Sequence, residues 1–324
     1  LEAAEYLLDS KSAPATVSTL AEAEAYAKAG YTDLLYAVGI APAKLKRVAA
    51  LRQQGINLHI LLDNMTQAQA VINFAAEFGQ DFSVFIEIDS DDHRGGIKPS
   101  DSKLLTIAKI LGVHFTGLMT HAGGSYACNT EQELKNFAKQ ECDAVRIARD
   151  NLKTAGIHCA ISSVGSTPTA HFGEDFSDIS EVRAGVYTTF DLVMKNIGVC
   201  DFSHIAMSVV TTVIGHNKEN WLLIDSGWMA LSRDRGTAGQ NRDFGYGQVC
   251  KIDGSVLDGL CVNSTSQEHG VIELSDAYQL EDFPVGHQLR IMPNHACATA
   301  AMHPVYHVLM SDGSHNTWQR ITGW

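Results

Sequence analysis

The chain has 324 residues, 45% hydrophobic and 19% charged, with a mean hydropathy of −0.05, the make-up of an ordinary globular protein of one or two domains. Its formal net charge of −13 argues against nucleic acid and anionic membrane as partners, because both are bound through basic patches. No apolar run reaches the roughly 18 to 20 residues that span a bilayer, no signal-peptide pattern opens the chain, and the seven cysteines form no CxxC pair. These features lead us to expect reduced thiols and a cytoplasmic location.

The chain opens on a helix-like segment, residues 1–8. Short β-branched or apolar runs follow at 15–19, 33–38, 58–63, 83–89, 115–121, 160–166 and 181–186, with amphipathic helices predicted at 21–29, 43–53, 67–78 and 131–155. Strand alternating with helix predicts parallel strands joined by right-handed crossovers. Runs such as Leu58-Ile60-Leu62 and Val84-Phe85-Ile86 are apolar on both faces, as strands covered by helices require. A closed TIM-type (β/α)8 barrel needs eight strands and seven are legible, so a first βα unit is expected to be missing ahead of Leu1; a seven-stranded doubly wound sheet is the alternative. Unusual polar residues at the C-terminal ends of the runs favour the barrel. After about Asn196 the pattern changes to short apolar runs, 221–225, 246–252, 270–274 and 288–292, punctuated by glycine. The expected division is a barrel over 1–196 and an antiparallel β domain over 197–324.

Chemistry gathers at the strand ends. Ser163-Val164-Gly165-Ser166-Thr167-Pro168-Thr169 follows a strand and exposes hydroxyl and N–H donors that could cradle a phosphate; the same run also reads as a plain N-cap with proline in the first turn. Arg183-Ala184-Gly185-Val186-Tyr187, at the next strand end, could add donors. The loop from Glu87 to Gly96 carries Asp89, Asp91, Asp92 and Arg94 without EF-hand spacing, so Arg94, as a donor to an anionic oxygen, is its more interesting member. Thr120-His121-Ala122-Gly123-Gly124-Ser125-Tyr126 places an imidazole and a phenol where they could meet an aromatic cofactor; His121 reads equally as a satisfied core histidine. Near the C-terminus, Pro293-Asn294-His295-Ala296-Cys297-Ala298-Thr299 pairs His295 with Cys297. In an extended strand the two would share one face and could converge on a metal ion.

These motifs, in this order and over nearly the whole chain, resemble the D-serine dehydratase and D-threonine aldolase family of pyridoxal-phosphate enzymes. The resemblance implies an alanine-racemase-like barrel with a C-terminal β domain. It implies that Gly165, Ser166, Thr167, Gly185 and Val186 hold the cofactor phosphate and that Arg94 faces the phenolic oxygen. His121 and Tyr126 would line the ring and substrate pocket and serve catalysis, with Tyr187 nearby. His295 and Cys297 would bind a divalent metal, zinc by donor type. A cysteine at the second metal position favours the dehydratase branch, since the aldolases typically carry aspartate there. The implied reaction is elimination of water from a D-3-hydroxy amino acid of the D-serine or D-threo-3-hydroxyaspartate type, in a homodimer; retro-aldol cleavage to glycine and an aldehyde is the nearer alternative and a non-catalytic cofactor carrier the remoter one. The family's Schiff-base lysine belongs to an R-P-H-x-K-T-type segment that this chain does not contain. Lys11, in Asp9-Ser10-Lys11-Ser12, does not fill that role.

Overall fold

The computed structural model describes residues 1–324, which divide into two compact units. The first comprises residues 1–124, 135–184 and 305–324, and the second 125–134 and 185–304. Residues 125–134 and 185–196, which the sequence pattern groups with the first half, thus belong to the second unit, and the C-terminal residues 305–324 belong to the first.

Seven parallel strands make the sheet of the first unit: β1 (Ala15–Val17), β2 (Asp33–Gly39), β3 (Asn57–Leu62), β4 (Ser83–Ile88), β5 (Phe115–Thr120), β6 (Ile161–Val164) and β7 (Glu181–Val182). They lie side by side in chain order, with β1 and β7 at the edges. Each crossover is a helix whose start and stop are written locally. Thr19 and Glu22 form a capping box at the head of Leu20–Lys28, and Asn64 caps Met65–Phe78, each satisfying N–H groups the helix leaves unpaired. Gly79, at φ 59°, ends the latter helix in the left-handed conformation glycine favours. The helix Lys103–Leu111 is absent from the sequence expectation. Leu20, Leu34, Val48, Leu58, Ile60, Val71, Ile86, Leu104, Val145 and Leu152 are among the buried side chains of the main core. Leu35, Leu61, Phe85 and Met119 form a separate small cluster, as expected for strands apolar on both faces. Because side chains repeat every second residue, continuing that stripe along β3, β4 and β5 leads to Asp63, Glu87 and His121. The stripe therefore turns polar at the C-terminal strand ends.

The second unit is a closed antiparallel barrel of β8 (Val209–Asn217), β9 (Trp221–Ile224), β10 (Gln248–Lys251), β11 (Val256–Thr265), β12 (Gly270–Glu273) and β13 (Gln288–Met292), ordered β10-β11-β12-β9-β8-β13. Closure removes the unpaired edges. Val213, Leu222, Ile224, Val249, Leu260, Val262, Ile272, Leu289 and Ile291 fill it. The long strands β8 and β11 have no counterpart among the predicted runs: exposed polar residues and a bulge in the pairing of each obscure their alternation. A hairpin of β14 (Val305–Leu309) and β15 (His315–Gln319) belongs to the first unit, where Trp318 stacks on Tyr6 with ring centroids 5.6 Å apart.

Candidate active-site residues

In the first unit the predicted phosphate run divides in two. β6 ends at Val164, and Ser166 caps the helix Thr167–Phe172. The Ser166 hydroxyl accepts the Thr169 N–H at 3.3 Å, and the Thr169 hydroxyl accepts the Ser166 N–H at 2.9 Å. Gly165 sits at φ +127°, and a Cβ there would lie 2.2 Å from the Arg183 carbonyl oxygen, so only glycine fits. Its N–H is committed to the Glu141 carboxylate at 3.0 Å. That bond satisfies the Gly165 N–H within the protein, and the residue's lack of a side chain shapes the turn.

Glu141, 1% exposed, is a site residue that the motifs do not show. It stands midway along the helix Glu131–Thr154, in the buried stripe that includes Leu134, Ala138, Val145 and Ala148. A carboxylate in an apolar stripe was the available signal. Its Oε1 also accepts the Ala122 N–H at 2.9 Å, and its Oε2 accepts the Thr169 hydroxyl at 2.7 Å. Burial pushes its pKa above the usual carboxylate range. Arg183 adds a cation beside it, donating to the Ser163 hydroxyl and to the carbonyls of Thr120 and Gly165.

His121 follows β5, with Nδ1 3.2 Å from the Gly165 carbonyl. A carbonyl only accepts, so Nδ1 carries the proton. Burial, reinforced by the nearby Arg183 and Arg94 charges, holds its pKa below the ordinary histidine value, and the ring is neutral near pH 7. Its neighbour Thr120 has a buried hydroxyl with no protein partner. Arg94 reaches out from the loop after β4, and its Nη2 lies 3.4 Å from Glu87 Oε1. That loop is closed by Asp89 N–H to Ile97 O and Ile97 N–H to Glu87 O. Its acids are spent internally: Asp89 accepts the N–H groups of Asp91 and Asp92 and pairs with Lys98, while Asp91 accepts the Gly124 N–H. Lys11 is engaged far from these strand ends, pairing with Glu5 and lying 4.1 Å from the centre of the Tyr31 ring.

In the second unit, Gly185 precedes a single 3-10 turn, Val186–Thr188, which brings Val186 and the exposed Tyr187 together. A Cβ on Gly185 would meet nothing within 4 Å, so internal packing does not demand glycine there. Tyr126 lies in the 3-10 turn Gly123–Ala127 and accepts the Gln240 side-chain N–H at its carbonyl at 2.9 Å.

His295 and Cys297 are not in a strand. β13 ends at Met292, and His295 is the N-cap of a short helix, Ala296–Ala300. Buried polar side chains force this turn. Asn294 donates to the Gly245 carbonyl and accepts the Thr237 hydroxyl, while Asp191 accepts the Ala296 N–H at 2.9 Å. The Cys297 side chain nevertheless acts on the His295 imidazole, helping to hold its proton. Asp234, also unpredicted, holds His295 Nδ1 at 2.6 Å. These contacts, Asp234 first and Cys297 second, push the His295 pKa up to about 10, and the same bond lowers that of Asp234. A carboxylate on one ring nitrogen is the usual support for a metal on the other. No group of three or more His, Cys, Asp or Glu side chains stands together as a metal cage, so a cation here would rest on two protein donors and keep open positions.

A parallel-stranded sheet with a separate antiparallel barrel defines an alanine-racemase-like fold. The family described as "Alanine racemase, N-terminal domain" matches residues 1–192, and "Putative serine dehydratase domain" matches residues 206–309. The chain belongs to this pyridoxal-phosphate-dependent family of D-amino acid dehydratases. It is 48% identical over 318 residues to D-threo-3-hydroxyaspartate dehydratase of Delftia sp., covering 95% of this chain and 84% of the relative. A crystal structure of an ala racemase-like protein from Idiomarina loihiensis is similar with a TM-score of 0.99 and 95% identity, covering 100% of this chain and 87% of that one. A cysteine-to-alanine variant of D-threo-3-hydroxyaspartate dehydratase, solved in a metal-free form, is similar with a TM-score of 0.93 and 46% identity over 96% of this chain and 85% of that one.

Proposed function

We propose that this protein removes water from a D-3-hydroxy amino acid of the D-serine or D-threo-3-hydroxyaspartate type, leaving a 2-oxo acid and ammonia. The observation that carries the metal half of this reading is His295, held by Asp234 on one nitrogen and two residues from Cys297. Hydroxide is a poor leaving group, and a His–Cys donor pair suits a zinc-type Lewis acid for its departure. Bound pyridoxal phosphate supplies delocalisation of the charge that develops at Cα. Two observations fit that cofactor: the unpartnered Thr120 hydroxyl at a strand end, and the open space over Gly185 where a Cβ would stand.

The chain's own residues then divide the work. Ser166 and Thr167, with Gly185 and Val186, hold the phosphate, and Gly165 shapes the turn. Arg94 donates to the cofactor's phenolic oxygen. His121, neutral and proton-bearing at Nδ1, offers a flat uncharged ring to the cofactor. Its Nε2 and the Tyr126 hydroxyl are the proton-handling atoms toward substrate, with Tyr187 beside them. In this reading residues 1–196 carry the cofactor and 197–324 the metal, and the seven parallel strands are seven of the eight of a TIM-type (β/α)8 barrel. The free thiols of all seven cysteines support a cytoplasmic setting. The family resemblance supports a homodimer, which sedimentation would read.

The test is to incubate the holoenzyme with D-serine, D-threonine and D-threo-3-hydroxyaspartate and measure ammonia and glycine. Ammonia with a 2-oxo acid supports dehydration; glycine with an aldehyde overturns it in favour of aldol cleavage. Thorough chelation should abolish turnover while the cofactor's absorbance persists, and full activity without metal would remove His295 and Cys297 from the mechanism.

A further inference from the structure

We infer that Glu141 is a positioning residue for the cofactor phosphate: its buried carboxylate ties together the two strand ends and the helix turn that present Ser166, Thr167 and His121. The inference rests on the phosphate reading given above. A buried anion near a phosphate site is at first sight misplaced, since like charges repel in a low-dielectric interior. Its bonds explain why it is there. Oε1 receives the N–H of Ala122, directly after His121, at 2.9 Å and the N–H of Gly165 at 3.0 Å. Oε2 receives the Thr169 hydroxyl at 2.7 Å.

The last bond fixes the direction of the neighbouring protons. With its only proton given to Glu141, the Thr169 oxygen can only accept from Ser166, and it takes the Ser166 N–H at 2.9 Å. The Ser166 oxygen in turn accepts the Thr169 N–H, and the 2.9 Å contact between the two hydroxyls then has Ser166 as donor. Glu141 thus leaves Ser166 as the donor of this hydroxyl pair, and its single proton goes to Thr169 or, when a phosphate is bound, to a phosphate oxygen. A glutamine at 141 has one accepting oxygen: if it keeps the two backbone N–H groups, its amide N–H faces the Thr169 hydroxyl, which must then accept and turn its own proton toward Ser166.

The two physical effects have opposite signs. If charge repulsion governed, Glu141→Gln would tighten phosphate binding; if positioning governs, it loosens it. The measurement is the ratio of affinities for pyridoxal phosphate and pyridoxal, read by absorbance titration of the protein stripped of cofactor, for wild type, Glu141→Gln and Ser166→Ala. A general loss of structure weakens both ligands and leaves the ratio in place, whereas loss of the cradle lowers it. We expect both variants to lower the ratio by about tenfold or more, the scale of one or two lost charge-assisted hydrogen bonds. An unchanged or raised ratio in Glu141→Gln, with Ser166→Ala reduced, overturns the inference and leaves the phosphate reading intact. An unchanged ratio in Ser166→Ala overturns the phosphate reading itself. Should Glu141→Gln not fold, Thr169→Val removes the proton relay alone, and the same ratio decides.

Discussion

Gly165 and Gly185 are both assigned to the cofactor phosphate in our proposal, yet an added methyl should act on them in opposite ways. At Gly165 the backbone is at φ +127°, and the new Cβ would lie 2.2 Å from the Arg183 oxygen and 2.6 Å from its nitrogen. Both obstacles are backbone, so β6 and β7 would have to part. The conformational strain costs about 1–3 kcal/mol. Parting also weakens the Arg183 N–H to Val164 O bond of 2.8 Å and the Gly165 N–H to Glu141 bond, together worth about 2–4 kcal/mol. A total of about 3–7 kcal/mol lowers the melting temperature by roughly 5–10 °C in a protein of this size. At Gly185, φ is −127° and nothing lies within 4 Å, so Gly185→Ala should melt within about 2 °C of wild type while losing affinity for pyridoxal phosphate relative to pyridoxal. Calorimetry of the cofactor-stripped variants and the absorbance titration give the two readings. Wild-type melting of Gly165→Ala would refute the steric argument, and wild-type cofactor affinity of Gly185→Ala would refute the claim that its open space receives the phosphate.

Asp234→Asn should weaken metal binding by about 10–100-fold, the usual scale for an outer carboxylate supporting a ligating histidine, with cofactor absorbance unchanged; competition against a calibrated chelator measures it, and unaltered affinity would dismiss Asp234 as a support. His59 is buried at the start of the sheet, bonded to Ser83 at 2.6 Å and near Asp33 at 3.3 Å, and burial lowers its pKa. With the folded value below the unfolded value of about 6.5, the stability it contributes is present above that pH and lost as pH falls through the folded value. Thermal melts of His59→Gln between pH 7.5 and 5 should therefore show a smaller acid loss than wild type, and an equal loss would refute the assignment.

Much of the first unit was legible because its rules are local. Strands apolar on both faces, a Thr–Glu capping box at Thr19 and a glycine stop at Gly79 announce themselves within a few residues. The second unit was less so: β8 and β11 carry bulges and exposed polar residues that hide their alternation. At the site, a His–x–Cys motif was visible, but the assumption that Met292 continued as a strand through Cys297 failed. Asn294 and Asp191 find buried partners in other segments, and those bonds bend the chain into a helix.

What the sequence determined by itself was therefore the chemistry on offer: imidazole and thiol two residues apart, hydroxyls after a strand, arginine in a glycine loop, and the family these imply. Tertiary structure alone decided which groups act together. Glu141 meets Gly165 and Thr169 across 24 and 28 residues, and Asp234 meets His295 across 61. Hydrogen bonds of that kind depend on distances of about 3 Å and on burial that raises their strength, and neither is encoded in the spacing of residues along the chain.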